Sequence, residues 1–414
     1  MPIKMSGVEK FPSLRTMLLA CVLTWVAALC AASAGAAELE LAGDAGVLLE
    51  MRSGKVLWEH NKDLPVPPAS TTKIITALVV LERTKLDDMV TVPVEATSAA
   101  GPSAQLEAGE RLTVDQLLHG MMLRSANDAT IALARHVGGA SEKFVALMHE
   151  KARQIGALQT SFRNPTGLPQ EGHATTAYDL ALITRAALQT AEFRRIVGKK
   201  DYPWKSARWQ GTLENTNVLL SNYPGAIGVK TGQTTEAGSV YGGLFHLVAA
   251  AERRGERFVA VVLKSTQGGL WQDAKNLLDH GFGNFYSMSL IERGETVLTS
   301  VVEGRTIIIA AAEPAHYVGP AVQSDVPQMQ IALDELELPI GKGEKVGEAI
   351  FRIGDKELAR VMLVAKAAVS DGFDMIWLTT GASVLFLALL LIWLNRQRWR
   401  NRHIFGSQGN HLRF

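Results

Sequence analysis

Cysteine is nearly absent from this chain: two residues in 414, Cys21 and Cys30. That scarcity excludes a disulfide framework and a zinc site of the cysteine type. Neither sign of charge dominates. With 42 basic and 41 acidic residues the formal net charge is +1, and no long run of like charge interrupts the body. Nothing here calls for nucleic acid or a polyanionic partner. Several catalytic signatures are missing as well. There is no Gly-x-Ser-x-Gly elbow, no Walker A loop and no His-Glu-x-x-His helix, which sets aside the chemistries those motifs carry. No internal repeat or low-complexity tract is present.

What is there begins with two apolar segments that bracket the chain. Near the start, Lys4, Lys10 and Arg15 precede an apolar run from Met17 to Cys30, and Ala34-Gly35-Ala36-Ala37 supplies small residues. This predicts a secretory signal peptide over 1–37, after whose cleavage no cysteine remains. Leu29 stands directly before Cys30 where a lipoprotein signal needs a small residue, so lipid attachment is not expected. Near the end, Met375 to Leu394 is 20 residues without a charge. As a helix it spans about 30 Å, the thickness of a bilayer core. Trp377 and Trp393 sit near its ends, and Arg396, Arg398, Arg400 and Arg402 follow. The positive-inside rule puts the tail 395–414 in the cytoplasm and the body outside, tethered to the cytoplasmic membrane.

The chain's 414 residues leave room for two or three domains. Val47 to Leu57 reads as a strand, a Ser-Gly turn and a second strand. Pro67-Pro68 leads into Ser70-Thr71-Thr72-Lys73 and an apolar run to Leu81, which predicts a helix buried on all sides. Residues three apart share a helix face, so Lys73 lies beside Ser70. Burial disfavours an ammonium, and a neutral lysine can take a proton from a serine hydroxyl, making it a nucleophile. Val114 to Leu123 predicts a helix. Ser125-Ala126-Asn127-Asp128 follows, with Asn127 or Asp128 as the cap of a further helix reaching His136. Asn164-Pro165-Thr166-Gly167-Leu168-Pro169 is a turn-rich loop, and Thr176 to Leu188 reads as a helix. Lys230-Thr231-Gly232 precedes two apolar strands, Leu244 to Ala251 and Phe258 to Leu263, and a closing helix from Trp271 to Phe282. After Phe285, short β-type runs separated by Gly, Pro and Asp predict a small all-β domain over 287–370.

Three elements thus stand in order: Ser70-x-x-Lys73, Ser125-x-Asn127 and Lys230-Thr231-Gly232. Each is common alone. Together they form the signature shared by class A β-lactamases and penicillin-binding proteins. The chain resembles the low-molecular-mass penicillin-binding proteins, the serine D-Ala-D-Ala carboxypeptidases. The segments Leu117 to Leu123, Asn164 to His173 and Lys342 to Gly347 resemble that family too, and the likeness runs from about Leu41 to Ala365.

The resemblance implies an α+β fold: a transpeptidase-like domain over 38–286, with an antiparallel sheet flanked by helices and a helical lobe, then the all-β domain and a transmembrane helix over 375–394. It implies that Ser70 attacks the last bond of a peptidoglycan stem peptide and that Lys73 accepts its proton. Ser125 bridges Lys73 and Lys230 and relays a proton to the leaving amine. Asn127 meets the substrate backbone. Lys230, Thr231, Gly232 and Gln233 form the substrate strand, with the N–H groups of Ser70 and Gln233 as the oxyanion hole. β-Lactams acylate Ser70, and no metal or cofactor is expected. Two features depart from the family pattern. The stretch Gln267-Gly268-Gly269-Leu270-Trp271-Gln272 lacks the arginine often found before the closing helix, leaving room for endopeptidase action on cross-links. Met375 to Leu394 resembles a true span, where many relatives carry an amphipathic helix. A non-catalytic peptidoglycan-binding scaffold is the alternative of a different class.

Overall fold

The computed structural model describes residues 39–234, 243–321, 326–370 and 373–404. The expected signal peptide, both cysteines and the end of the basic tail lie outside the described residues. The chain divides into two compact units, one ending at Gly283 and one beginning at Asn284.

The first unit is built on a five-stranded antiparallel sheet. Its members in chain order are β1 (Ala45–Glu50), β2 (Val56–His60), β7 (Ala226–Thr234), β8 (Leu244–Arg253) and β9 (Glu256–Ser265), and its spatial order is β2-β1-β9-β8-β7. Short hairpins supply β3 (Met89–Thr91) with β4 (Arg111–Thr113), and β5 (Asp201–Lys205) with β6 (Gln210–Glu214). Strands β8 and β9 read as near-continuous apolar runs because both faces of the sheet are covered. Val248, Ala250, Val259, Val261 and Leu263 belong to a core shared with Ile74 to Val80 and Leu180 to Ile183. Leu247, Ala249, Ala251, Phe258 and Val262, alternating with them, pack instead on Leu270, Ala274, Leu277 and Leu278 of the closing helix Gly269–Asn284. This is the α+β arrangement that the sequence predicts.

The helix behind Ser70 opens as a 3-10 turn over Ala69–Thr72 and continues as an α-helix over Lys73–Leu81. Every residue from Thr71 to Val80 is buried. The helical lobe holds Val114–Leu123, Asn127–Gly138 and Ser141–Ile155. Thr113 caps the first with a reciprocal Thr113–Gln116 box. The cap of the second differs from expectation. Ala126 holds the N-cap position without a side-chain bond, and Asn127 and Asp128 are the first two helical residues. Their side chains point back to the preceding loop instead.

The second unit carries β10 (Phe285–Ile291), β11 (Thr296–Val302), β12 (Arg305–Ala311), β13 (Ala315–Pro320), β14 (Gln328–Leu333), β15 (Lys345–Ile353) and β16 (Lys356–Ala365). A five-stranded antiparallel sheet runs β11-β12-β16-β15-β14, and β10 pairs with β13. Ile307, Ile309, Val346, Phe351, Val361 and Leu363 form its core. The helix Phe373–Ile404 follows, and its stretch Thr379–Gln397 is long and apolar enough to cross a membrane, with none of it buried.

Candidate functional site

The 3-10 turn presents Ser70 at a cleft of about 540 Å³ in the first unit, and Ser125, Asn127, Thr231, Gly232 and Gln233 line the same cleft. The two lysines lie behind that lining, Lys73 at 0% and Lys230 at 1% exposure.

Lys73 Nζ stands 3.1 Å from Ser70 Oγ and donates to the Thr166 carbonyl oxygen at 2.6 Å. Burial pushes the Lys73 amine well below the ordinary lysine range, and the charge of Lys230 pushes it further in the same direction. Lys230 is brought down to about 7 by burial. Its Nζ donates to the Thr231 carbonyl at 2.9 Å.

The loop carrying Thr166 owes its shape to Asn164. Its side-chain oxygen accepts from the N–H of Thr166 at 3.2 Å, the Thr166 hydroxyl at 2.9 Å and the Gly167 N–H at 2.8 Å, the Asx-turn chemistry that Asn-Pro-Thr-Gly supplies. The loop is fastened to the Ser70 helix at further points. Thr76 Oγ1 donates to the Pro165 carbonyl at 2.8 Å, and Thr72 Oγ1 lies 3.2 Å from His173 Nε2. On the other side, Gly232 of β7 lets that strand approach the 3-10 turn. A β-carbon there would meet Ala69 Cβ at 3.2 Å and Thr71 Cγ2 at 3.3 Å.

The opposite wall is Ser125 to Asp128. Ser125 adopts a left-handed φ of +61°, and Ala69, next to Ser70, one of +50°. Such backbone strain gathers where a structure must aim its side chains. Asn127 Nδ2 donates to the Ala100 carbonyl at 2.6 Å. Its Oδ1 is buried without a partner among the described residues and so has an acceptor to offer inside the cleft. Asp128 accepts from Ala104 N–H at 2.9 Å, Leu106 N–H at 3.1 Å and Ser103 Oγ at 2.6 Å, fixing the adjoining loop.

The expected Ser125 bridge between the lysines is not formed by direct hydrogen bonds. Ser125 Oγ is buried without a partner among the described residues, because each amine is turned to a carbonyl, Lys73 to Thr166 and Lys230 to Thr231. Among the cleft-lining residues that the three motifs do not single out are Thr166, Thr216 and Arg124. Thr216 Oγ1 lies 2.7 Å from Thr231 Oγ1. The Asn-Pro-Thr-Gly turn is a signal that could have found Thr166; Thr216 and Arg124 have none of comparable strength.

The chain matches two families over most of its length. The D-alanyl-D-alanine carboxypeptidase family model matches residues 31–267, and that of the penicillin-binding protein 5 C-terminal domain matches 285–371. The D-alanyl-D-alanine carboxypeptidase DacF of Bacillus subtilis is 34% identical over 83% of this chain and 91% of its own length. The carboxypeptidase DacC of Escherichia coli is 31% identical over 80% of this chain and 86% of its own. Among solved structures, penicillin binding protein 5 from Haemophilus influenzae matches with a TM-score of 0.70 and 26% identity, covering 81% of this chain and all of that one. With the carboxypeptidase family model matching more than half of the chain and curated relatives above 30% identity covered over most of their length, this chain belongs to the serine D-alanyl-D-alanine carboxypeptidases, the low-molecular-mass penicillin-binding proteins.

Proposed function

We propose that this protein removes the terminal D-alanine from peptidoglycan stem pentapeptides through an acyl-enzyme on Ser70. The observation that carries the reading is the 3.1 Å approach of Lys73 Nζ to Ser70 Oγ, with the amine held well below its ordinary proton affinity. A neutral Lys73 takes the Ser70 proton as Oγ bonds to the scissile carbonyl carbon. The N–H groups of Ser70 and Gln233 receive the oxyanion, a contact whose loss costs about 3 kcal/mol per donor. Ser125 passes a proton to the departing amine, the C–N bond breaks, and D-alanine leaves. Water then cleaves the ester and restores the serine hydroxyl. Asn127 Oδ1 accepts from a peptide N–H of the substrate, while the Thr231 hydroxyl receives its carboxylate with Lys230 buried behind the strand. A β-lactam acylates the same oxygen and remains there.

Domains are assigned as a catalytic segment over 38–286 and a β domain over 287–370. The body is exported behind a signal peptide, 1–37, and held at the outer face of the cytoplasmic membrane by a span over 375–394. The apolar stretch Thr379–Gln397 supports the anchor. Extraction by detergent but not by high salt or alkali tests it.

The chemistry is tested on the full chain in detergent. Penicillin is expected to leave one adduct on the peptide containing Ser70, absent in Ser70→Ala, and pentapeptide is expected to yield free D-alanine. An adduct elsewhere, or none, overturns the assignment of the nucleophile. A second reading, endopeptidase cleavage of cross-links, draws on one observation. Gln267 lines the cleft where relatives often place an arginine. A cross-linked dimer offered beside the pentapeptide separates the two.

A further inference from the structure

A peptide cut at its last bond carries a free carboxylate one residue, about 3.8 Å, beyond the attacked carbonyl. The cleft must therefore place a donor or a positive charge within hydrogen-bond reach of that carboxylate. Gln267 offers no charge. Lys230 is buried, with its Nζ given to the Thr231 carbonyl at 2.9 Å. Arg124 is different. It lines the cleft, its side chain is exposed, and no ion pair or side-chain hydrogen bond engages it among the described residues.

Its position follows from the backbone. Arg124 ends the helix Val114–Leu123 and immediately precedes Ser125. The neighbouring Leu123 carbonyl accepts from the Thr216 N–H at 3.2 Å, and Thr216 Oγ1 in turn lies 2.7 Å from Thr231 Oγ1. Arg124, Thr216 and Thr231 are therefore linked through adjacent backbone at one end of the cleft. That end combines two hydroxyls with a guanidinium, and Arg124 is the residue next in the chain to Ser125, the proton donor to the leaving amine in the proposed mechanism. A guanidinium keeps its charge at every working pH and matches a carboxylate with two parallel N–H groups.

We propose that Arg124 is the specificity-determining residue for the free α-carboxylate of the peptide's last residue, taking it between its guanidinium and the Thr216–Thr231 hydroxyl pair. The proposal rests on the carboxypeptidase reading above. It makes Arg124 a binding residue that supplies the charge Gln267 does not.

The test is a cycle between enzyme and substrate, run on the full chain in detergent. Turnover is measured for a peptide ending in D-Ala-D-Ala and for the same peptide with its carboxylate converted to an amide, with wild type, Arg124→Gln and Arg124→Lys. With the acid, Arg124→Gln is expected to lower kcat/KM about tenfold, mostly through KM, as befits a lost charged hydrogen bond. With the amide, Arg124→Gln and wild type are expected to be equal, and that equality also shows the variant to be folded. Arg124→Lys is expected to recover part of the preference, since it keeps the charge without the fork. An equal loss on both peptides, or no loss on the acid, overturns the proposal. Wild-type enzyme that releases neither D-alanine from the acid nor D-alaninamide from the amide, and takes no penicillin, overturns the functional reading instead.

Discussion

Gly167 lies so close to Ala69 that a β-carbon built on it would stand 1.8 Å from the Ala69 carbonyl oxygen. Its φ of +85° adds a second restriction, since side chains other than glycine rarely adopt it. The contact presses the Asn164–Gly167 loop onto the turn that carries Ser70, which is how the Thr166 carbonyl reaches Lys73. Gly167→Ala is expected to destabilise the protein by about 3 kcal/mol or more and to abolish penicillin labelling. Gly232→Ala, where the nearest atoms lie at 3.2 to 3.4 Å, is expected to cost about 1 kcal/mol. Urea unfolding of both variants checks the contrast; equal losses would show that loop and turn are held together by something else.

Asp128 sits one residue beyond the asparagine of the motif and acts on a different part of the wall. Its carboxylate accepts from Ser103, Ala104 and Leu106 across 22 to 25 residues of chain, so it organises a loop that has no regular structure of its own. Asp128→Ala leaves buried N–H groups without an acceptor, each costing about 1–3 kcal/mol before relaxation. The expected net loss is about 3 kcal/mol, with faster proteolysis within 100–106. A variant as stable and as resistant as wild type would mean that the loop is held by its other contacts.

Much of this molecule is written locally. The buried helix behind Ser70 shows in an unbroken apolar run, and β8 and β9 show in two more, because elements covered on every side need no polar positions. Of the motif residues, Ser70 and Lys73 sit on that helix, Lys230 to Gln233 on the edge strand β7, and Ser125 between two helices. Other parts are settled by tertiary contacts. Strand β5 contains Pro203 and buries only Trp204, so it lacks the alternation that marks a strand. The Lys73 amine turns to a carbonyl 93 residues away, the Lys230 amine to that of the adjacent Thr231, and the left-handed φ at Ser125 is a single backbone dihedral. No spacing rule carries that information.

The two buried lysines also carry a stability penalty with a definite sign. Lys230 falls from an ordinary value of 10.5 to about 7 in the folded chain. Between those two values the unfolded chain binds more protons than the folded one, so stability rises with pH through that window. Below pH 7 the penalty is fully present. Lys230→Met, which removes the charge and keeps the length, is expected to retain only residual activity yet be more stable by about 2 kcal/mol at pH 6. The gain is expected to shrink toward pH 10. Denaturant midpoints at the two pH values check this, and a variant less stable at pH 6 than wild type would contradict it.

The same pair governs the rate. Acylation needs Lys73 neutral, so the rate of penicillin labelling is expected to rise with pH through the depressed value of Lys73 and to level off. Burial is the larger cause of that depression and the Lys230 charge the smaller. Removing Lys230 therefore relieves only the repulsion, which raises the proton affinity of Lys73 in part. In Lys230→Met the residual labelling is expected to keep its acid limb, displaced to higher pH than in wild type. Lys73→Met is expected to lose the limb altogether, with labelling slowed by at least about a hundredfold. A limb displaced to lower pH in Lys230→Met would show that Lys230 does not act on Lys73 through its charge. A limb that survives in Lys73→Met would place the proton acceptor on another group. The comparison therefore distinguishes a lysine that activates Ser70 from one that merely fills the space behind it.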